Sequence, residues 1–294
     1  MNNLTSRNHE GPFNQLATLV ETDDFITSDK YLGIPQYSAG IIYFKRDFLF
    51  KSGDFRGEKC KSYVSNFQEF KGMKLLVGHS DIPTLKRHLH ILRALGVTKV
   101  LGTNTLSTTD FSISLPLGLT NFTRESSLHQ VFGDTSHFSR ANSSIFCAEF
   151  SPEFLANFSS ENNFQERGML LGILRRLGKP YKVSIETPDM TPSGRISYLR
   201  KLRETPMVVC PEGNGVDTHR LWETLYMGGM PVVKNNKLLN PLFDVLPVLR
   251  VNDWNQLGDL EYMHSSWDKV YKMSWNPEVL GASYWKELIT QSHS

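Results

Sequence analysis

The sequence has few cysteines, and none lies in an arrangement that marks a metal or redox site. Its three cysteines, Cys60, Cys147 and Cys210, are far apart in the chain, and no two form a Cys-x-x-Cys pair. This usage argues against a disulfide-stabilised secreted domain and favours a reducing compartment. Cys147 and Cys210 lie in apolar runs, so we expect both to be buried core residues rather than nucleophiles.

The sequence also lacks long apolar runs and an excess of either charge. No run is long enough for a membrane-spanning helix, and residues 1–10 are polar, so we expect neither a signal peptide nor a membrane anchor. Lysine and arginine together number 32 and aspartate and glutamate 30, which gives a net charge of +2. This even mixture argues against the long-range positive field of a dedicated DNA-binding protein and leaves only a local basic groove open.

What the chain does contain is enough apolar material for a folded core. Of its 294 residues, 39% are hydrophobic and 11% aromatic, a composition that suits two modest globular domains. Short apolar runs alternate with helical patterns on both sides of residue 140, and residues 135–142 are polar. We therefore predict an α/β fold of two doubly wound halves that face each other.

The first half contains a strand–helix–strand unit that places two polar residues at a ligand-binding edge. We predict strands at residues 39–44, 73–78, 97–101 and 113–117 and helices at residues 83–95 and 125–131. A right-handed crossover puts the loop after the second strand on the edge where ligands bind. His79 and Asp81 lie in that loop, and either could serve as a general base. The alternative is that Asp81 caps the next helix and His79 is a turn residue.

The helix that follows this loop carries several basic residues. His88 and His90 accompany Lys86, Arg87 and Arg93. We expect these five side chains to form a solvated basic face. The alternative is a surface that binds an acceptor.

The second half is organised around one stretch, residues 206–233. We predict strands at residues 144–150, 181–186, 207–210, 230–234 and 247–251 and helices at residues 164–177, 193–204 and 277–290, with a short helical region after Asp253. A further helix follows residue 215, where Asp217 or Thr218 can cap it, and Gly228 and Gly229 end it. Within the central stretch, a strand leads into a loop of Gly213, Asn214 and Gly215 and then into a helix N-terminus. Backbone N–H groups and the helix dipole both favour a phosphate at such a place.

Two charged residues on the central helix suit a nucleotide. Arg220 and Glu223 are three residues apart and therefore share a helix face. An arginine can bind phosphate oxygens with its fork of N–H groups, and a carboxylate can accept hydrogen bonds from ribose hydroxyls. The alternative is an ordinary Arg–Glu pair on the protein surface.

Residues 210–233 resemble the donor-sugar motif of exostosin-like glycosyltransferases of the GT-B type. In that family a loop of small residues leads into a helix of the form Arg-x-x-Glu-Ala-x-x-x-Gly, and a strand of the form x-Pro-Val-Val follows. Arg220, Glu223, Gly228 and Pro231 occupy the matching positions. Weaker similarities at residues 115–121, 157–159 and 246–254 extend the resemblance over roughly residues 110–255. The sequence departs from the pattern at Glu212, where many relatives have a basic or small residue.

The resemblance implies a hexosyl- or pentosyltransferase that moves a sugar from a nucleotide-diphosphate sugar to a glycan or another hydroxyl acceptor. It implies two Rossmann-like domains across a cleft, with the acceptor side at residues 1–140, the donor side at residues 141–275, and a terminal helix at residues 276–294 that crosses back. The donor residues expected are Gly213, Asn214, Gly215, His219, Arg220 and Glu223, with Glu212 near the sugar hydroxyls. The expected catalytic residues are Asp81 and His79.

The chain contains no Asp-x-Asp sequence, which holds the cation in metal-dependent transferases. We therefore expect a metal-independent enzyme with no cofactor, in the cytoplasm of a bacterium or of a host cell infected by a virus. Two alternatives remain open. One is an enzyme of the same fold that glycosylates a hydroxymethylated base in phage DNA, with the basic helix as its DNA track. The other is a non-catalytic module that binds nucleotides or glycans.

Overall fold

The computed structural model describes residues 24, 26–31, 40–45, 70–78, 80–108, 110–120 and 150–291. Its strands are Ile41–Lys45 (β1), Lys74–Gly78 (β2), Lys99–Gly102 (β3), Ser112–Ser114 (β4), Glu153–Asn157 (β5), Lys182–Glu186 (β6), Met207–Val209 (β7), Met230–Lys234 (β8) and Leu249–Val251 (β9). They form two parallel sheets, one of order β1-β2-β3-β4 and one of order β6-β5-β7-β8-β9. The prediction of an α/β protein with two parallel sheets is confirmed. Only the second sheet has the strand reversal of a doubly wound half, because the described strands of the first sheet follow one another in chain order.

The helices connect successive strands or close the second half. They are Ser28–Tyr31 (α1), Lys86–Ala94 (α2), Phe164–Arg176 (α3), Pro192–Glu204 (α4), His219–Tyr226 (α5), Asn240–Phe243 (α6), Leu260–Tyr271 (α7) and Ala282–Gln291 (α8). Short 3-10 turns cover Glu161–Asn163, Trp254–Gly258 and Pro277–Leu280. None of the helices in the described ranges has both the length and the apolar character needed to cross a membrane.

A central strand of each sheet is buried along its whole length. Every residue of β2 and β7 is buried, as expected for parallel strands covered on both faces. The main core surrounds the second sheet and includes Trp222, Trp254 and Trp267, which are fully buried. Core residues of the first half, such as Leu76 and Leu101, belong to the same cluster. One face of the first sheet therefore shares the main core, while Leu75, Val77 and Leu92 belong to a separate apolar cluster.

The strand order of the second sheet creates a crevice for a ligand. The chain passes from β5 to β6 on one side and then to β7 on the other side of β5. At such a reversal the two connections leave in opposite directions, and ligands bind outside the carboxyl ends of the strands. The segments that follow β5, β6 and β7 therefore form the expected binding edge.

The prediction of a strand at residues 144–150 is wrong at its C-terminal end, because Phe150 is outside any strand and β5 begins at Glu153. Pro152 directly precedes β5, a position where the missing N–H of proline removes no hydrogen bond between strands. The strand therefore begins after Pro152 and not within the predicted range of residues 144–150. Helix α7 was not predicted, although Asp259 caps it by accepting from Tyr262 N.

Helix α2 differs from its prediction in two ways. It begins at Lys86 rather than at residue 83, because Thr84 forms an extended bridge with Thr105. The N-cap position is Leu85, so Asp81 does not cap this helix. His88 is 1% exposed and its Nδ1 accepts from Leu85 N, which corrects the prediction that His88 is part of a solvated face. The other four basic residues of that face, including His90, are exposed.

Several predictions fall outside the described residues. They concern His79, Cys60, Cys147, the helix at residues 125–131 and the polar boundary at residues 135–142. Cys210 is described and buried, and burial raises the pKa of its thiol to about 12. The prediction that Cys210 is a buried core residue is confirmed.

The terminal helix contacts the N-terminal segment. Ser283 donates hydrogen bonds from its backbone N and its Oγ to Asp24 Oδ1, at 2.9 Å and 2.6 Å. Nearby, Tyr226 Oη accepts from Ile26 N at 2.9 Å and donates to Leu280 O at 2.6 Å. Helix α8 is thereby joined to the segment before α1.

Candidate functional site

A cavity of about 540 Å³ lies between the two halves, at the carboxyl ends of β5, β6 and β7. A volume of this size suits a small-molecule ligand. The first half contributes Asp81, Leu117 and Thr120 to its lining, and the second half contributes the remaining residues that line it. We call this cavity the cleft. It lies where the strand order of the second sheet reverses.

Three helices of the second half begin at the cleft. Residues near the N-termini of α3, α4 and α5 line it, among them Arg167, Arg195 and Arg220. Parallel strands followed by helices bring these N-termini to one edge, where the helix dipoles and the unpaired N–H groups favour negative charge. The cleft therefore has the electrostatic character of an anion-binding site.

Two of these arginines flank Phe158. The guanidinium carbons of Arg167 and Arg220 lie 5.5 Å and 5.7 Å from the centroid of its ring. Arg167 is buried, and it donates from Nε to Glu212 O and from Nη1 to Ser159 O, each at 2.8 Å. Burial, and then the positive charge of Arg220, lower the pKa of Arg167 to about 10. Its guanidinium is still charged at neutral pH, so the cleft holds two neighbouring cations.

Arg220 has unused hydrogen-bonding capacity. Its Nε is buried and has no hydrogen-bond partner in the part of the chain that the structure describes. Among the same residues, neither Arg167 nor Arg220 takes part in an ion pair. The charge of Arg220 acts against that of Arg167, so a ligand with negative charge would stabilise this arrangement.

The sequence contained a signal for Arg167 that our predictions missed. A cation in the first turn of a helix opposes the helix dipole, which makes Arg167 an unfavourable residue for α3 unless it has another role. We placed the preceding strand too early, so residues 157–163 were not recognised as the segment after a central strand. Arg167 follows directly from that segment.

Glu223 is held in the interior by a tyrosine of the neighbouring helix. Tyr198 Oη donates to Glu223 Oε2 at 2.8 Å, and the two side chains are 7% and 5% exposed. Burial, and then the charge of Glu223, raise the pKa of Tyr198 well above its ordinary value, so the phenol keeps its proton and remains a donor. Glu223 and Arg220 both line the cleft and do not form the surface pair that their spacing allowed.

The glycines of the loop at residues 213–215 are needed for close packing against neighbouring side chains. A Cβ atom at Gly213 would lie 2.8 Å from Nη2 of Arg167, and one at Gly215 would lie 2.9 Å from Nδ2 of Asn104. The N–H of Gly213 donates to Gly215 O at 2.9 Å. This corrects one detail of the predicted phosphate cradle, because the N–H of Gly213 is used within the loop. Gly213, Asn214 and Gly215 all line the cleft.

Polar contacts from the first half hold the start of α5. Asn104 Oδ1 accepts from Val216 N and Asp217 N at 3.1 Å and 2.9 Å. Asp217 is buried, and its Oδ2 accepts from Leu117 N at 2.7 Å. Burial raises the pKa of Asp217 to about 6. His219 lines the cleft, with Nδ1 2.7 Å from the carbonyl oxygen of Gly118, so this nitrogen has a structural contact.

The two remaining predicted residues lie in different places. Asp81 is exposed on the wall that the first half contributes to the cleft, close to Gly215. The Glu212 carboxylate lies outside the cleft lining, where its Oε1 accepts from Asn236 Nδ2 at 2.6 Å. Burial raises its pKa. Glu212 contributes to the site through its backbone carbonyl, which binds Arg167.

Neither metals nor known relatives define the site further. Within the described ranges, no group of three or more His, Cys, Asp and Glu side chains is arranged to hold a metal ion. No protein-family model matches the chain, and a search of curated proteins finds no significant match. Function must therefore be inferred from the residues of the cleft and from the motif in the central stretch.

Proposed function

We propose that this protein is a glycosyltransferase of the GT-B type that uses a nucleotide-diphosphate sugar as donor. The observation that carries the proposal is the meeting of Arg167, Arg220 and the buried Glu223 in one cleft at the strand reversal of the second sheet. Two cations suit a diphosphate, and a fixed carboxylate suits a ribose. The two facing parallel sheets are compatible with the GT-B arrangement, and the exostosin-like motif supports the transfer of a sugar.

In this proposal the arginines stabilise the leaving group. When the glycosidic bond to the donor breaks, negative charge grows on the nucleotide diphosphate. Arg220 and Arg167, together with the helix N-termini, lie where they can stabilise that charge without rearranging. Arg167 is fixed by two backbone carbonyls, which reduces the entropy that it loses on binding.

Glu223 positions the nucleotide through its ribose. Tyr198 donates to one carboxylate oxygen and leaves the other as an acceptor for a ribose hydroxyl. A buried carboxylate that is already oriented discriminates strongly for a ligand with hydroxyl donors, because an unpaired buried acceptor is costly.

Asp81 is the proposed general base. It lines the part of the cleft that the first half contributes, while Arg220 lines the part from the second half. The Asp81 carboxylate would take the proton of the acceptor hydroxyl as the new glycosidic bond forms, which is the role required in an inverting transfer. His79, the other predicted base, lies outside the described residues.

The basic helix offers less support for an acceptor in duplex DNA. His88 is buried, and Arg93 forms an ion pair with Asp110 at 2.9 Å. None of the basic residues of α2 lines the cleft. Binding to duplex DNA that weakens steeply with salt would favour this alternative over a glycan acceptor.

The proposal is tested by ligand binding and then by turnover. Thermal unfolding is followed with UDP, GDP, CDP and ADP and their common sugar conjugates, where a ligand at about 100 times its Kd adds roughly 2.7 kcal/mol to the free energy of unfolding. R220A should bind at least about tenfold more weakly than wild type. The matched control is R200A, which removes an exposed arginine of α4. The proposal fails if no nucleotide binds or if R220A binds as well as wild type.

Turnover distinguishes an enzyme from a binding module of the same fold. Release of the nucleoside diphosphate from the bound sugar conjugate should be lost in D81N, while the Kd for the nucleotide stays unchanged. A protein that binds the conjugate but releases no nucleoside diphosphate with any hydroxyl acceptor would be a binding module.

A further inference from the structure

A third arginine lines the cleft besides Arg167 and Arg220. Arg195 is in the first turn of α4 and lines the cleft. Its Nε is buried and has no hydrogen-bond partner among the described residues, while Nη2 contacts the weakly accepting sulfur of Met190 at 2.9 Å. A guanidinium carries only donors, so the ligand must present acceptors at this place.

A carboxylate lies beside this arginine. Asp189 lines the cleft in the connection between β6 and α4, where its Oδ1 accepts from Thr191 N at 2.9 Å. It packs so closely on the start of α4 that a Cβ atom at Gly194 would lie 2.2 Å from its Cγ. Hydrogen bonds from Thr191 lower the pKa of Asp189, so it is ionised at neutral pH. Within the described residues, Asp189 and Arg195 form no ion pair with each other.

The order of groups along the cleft matches the order of parts in a nucleotide. Arg195 and Tyr198 are three residues apart and therefore share a face of α4, and Tyr198 contacts Glu223 on α5. Glu223 in turn is one turn of α5 from Arg220. Cations for the diphosphate, a carboxylate for the ribose and the Asp189–Arg195 pair thus follow one another. In this order the Asp189–Arg195 pair is the part of the cleft that would meet the base.

We propose that Asp189 and Arg195 select guanine, so that the donor is a guanosine-diphosphate sugar. This inference rests on the proposed function. Guanine offers two adjacent acceptors, O6 and N7, which an arginine binds with two hydrogen bonds. It also offers two adjacent donors, N1–H and the N2 amino group, which suit a carboxylate. Adenine, cytosine and uracil each lack two adjacent donors, so none of them satisfies both side chains.

The test is isothermal titration calorimetry with GDP, UDP, CDP, ADP and inosine diphosphate, whose base lacks the N2 amino group. Wild type should bind GDP about tenfold or more tightly than UDP, CDP and ADP, with inosine diphosphate between them. R195A should lose the preference for GDP. D189N should bind GDP no better than inosine diphosphate. The control R200A, which changes an exposed arginine of the same helix, should keep the wild-type preference.

The outcomes separate this inference from the proposed function. If wild type binds nucleotides but prefers UDP, CDP or ADP, the guanine assignment is wrong and the proposed function stands. The same conclusion follows if R195A and D189N keep the preference for GDP. If wild type binds none of the five nucleotides, the proposed function fails and the guanine assignment fails with it.

Discussion

Tyr198 Oη and Glu223 Oε2 are 2.8 Å apart, and this bond joins the helix that follows β6 to the helix that follows β7. Both side chains are buried in the protein and also line the cleft. The bond therefore affects both the stability of the fold and the orientation of the carboxylate that we assign to the ribose.

Y198F should destabilise the protein and weaken nucleotide binding together. A hydrogen bond to a charged group contributes about 1.5–3 kcal/mol, and its loss leaves a buried carboxylate poorly solvated. Urea unfolding measures the loss in the free energy of unfolding. The matched control is Y181F, because the hydroxyl of Tyr181 is buried without a partner in the described part of the chain, and its removal should cost little. Equal effects of the two substitutions would show that the Tyr198 bond contributes nothing.

G213A should weaken nucleotide binding through Arg167. The added Cβ would lie 2.8 Å from Nη2 of Arg167, so the guanidinium must shift from its present position. Loss of one charge-assisted contact should raise the Kd for the nucleotide about tenfold or more, as measured by calorimetry. G178A is the control, because no atom lies within 4 Å of a Cβ there. An unchanged Kd in G213A would remove Arg167 from the proposed site.

D217N should change how stability depends on pH. The folded pKa of Asp217 is about 6, above its ordinary value of 3.8, so the folded state holds this proton more tightly than the unfolded chain. The contribution of this proton to the free energy of unfolding is fully present at pH below 3.8 and is lost as the pH rises through 6. Relative to wild type, D217N should therefore gain stability, on the order of 3 kcal/mol, between pH 4 and pH 7.

Asp253 is a control for that experiment, because its effect on stability changes with pH in the opposite direction. Hydrogen bonds from Asn255 lower the pKa of Asp253. Its contribution is present above the unfolded pKa and is lost as the pH falls, so D253N should lose stability relative to wild type as the pH rises. Unfolding curves in urea at several pH values give both trends. Parallel slopes for D217N and wild type would contradict the assignment to Asp217.

Sugar transfer should survive removal of divalent cations. In the proposed mechanism Arg167, Arg220 and the helix N-termini stabilise the leaving diphosphate. Addition of EDTA should therefore leave the rate of nucleoside diphosphate release unchanged. Activity that disappears with EDTA and returns with Mg²⁺ or Mn²⁺ would mean that a cation performs this task instead.

The local patterns in the sequence were sufficient for much of the fold. The strand at residues 230–234 and the helix with Leu221, Trp222 and Leu225 on its apolar face were both predicted correctly, because continuous apolar runs and glycines bound them closely. Strand β5 was not predicted correctly. Its apolar part, Phe154 to Ala156, is short, and its extended form depends on pairing with β6 and β7.

The site was predictable where one segment supplies it and not where distant segments meet. Arg220 and Glu223 could be paired from their spacing on α5. The contacts of Tyr198 with Glu223 and of Arg167 with Glu212 O join residues that are far apart in the chain, so no periodicity indicates them. His88 shows the same limit, because its ring turns back to Leu85 rather than outward.

Because of Asn104, both halves of the protein determine the shape of the proposed ligand site. Its amide oxygen is the acceptor for two backbone N–H groups immediately before α5, so the shape of the proposed diphosphate loop depends on a residue encoded far upstream. A fragment containing only residues 150–291 would lose that acceptor. Grafting the second half onto a different first half would therefore alter affinity for the nucleotide even if every residue from 150 onward were kept.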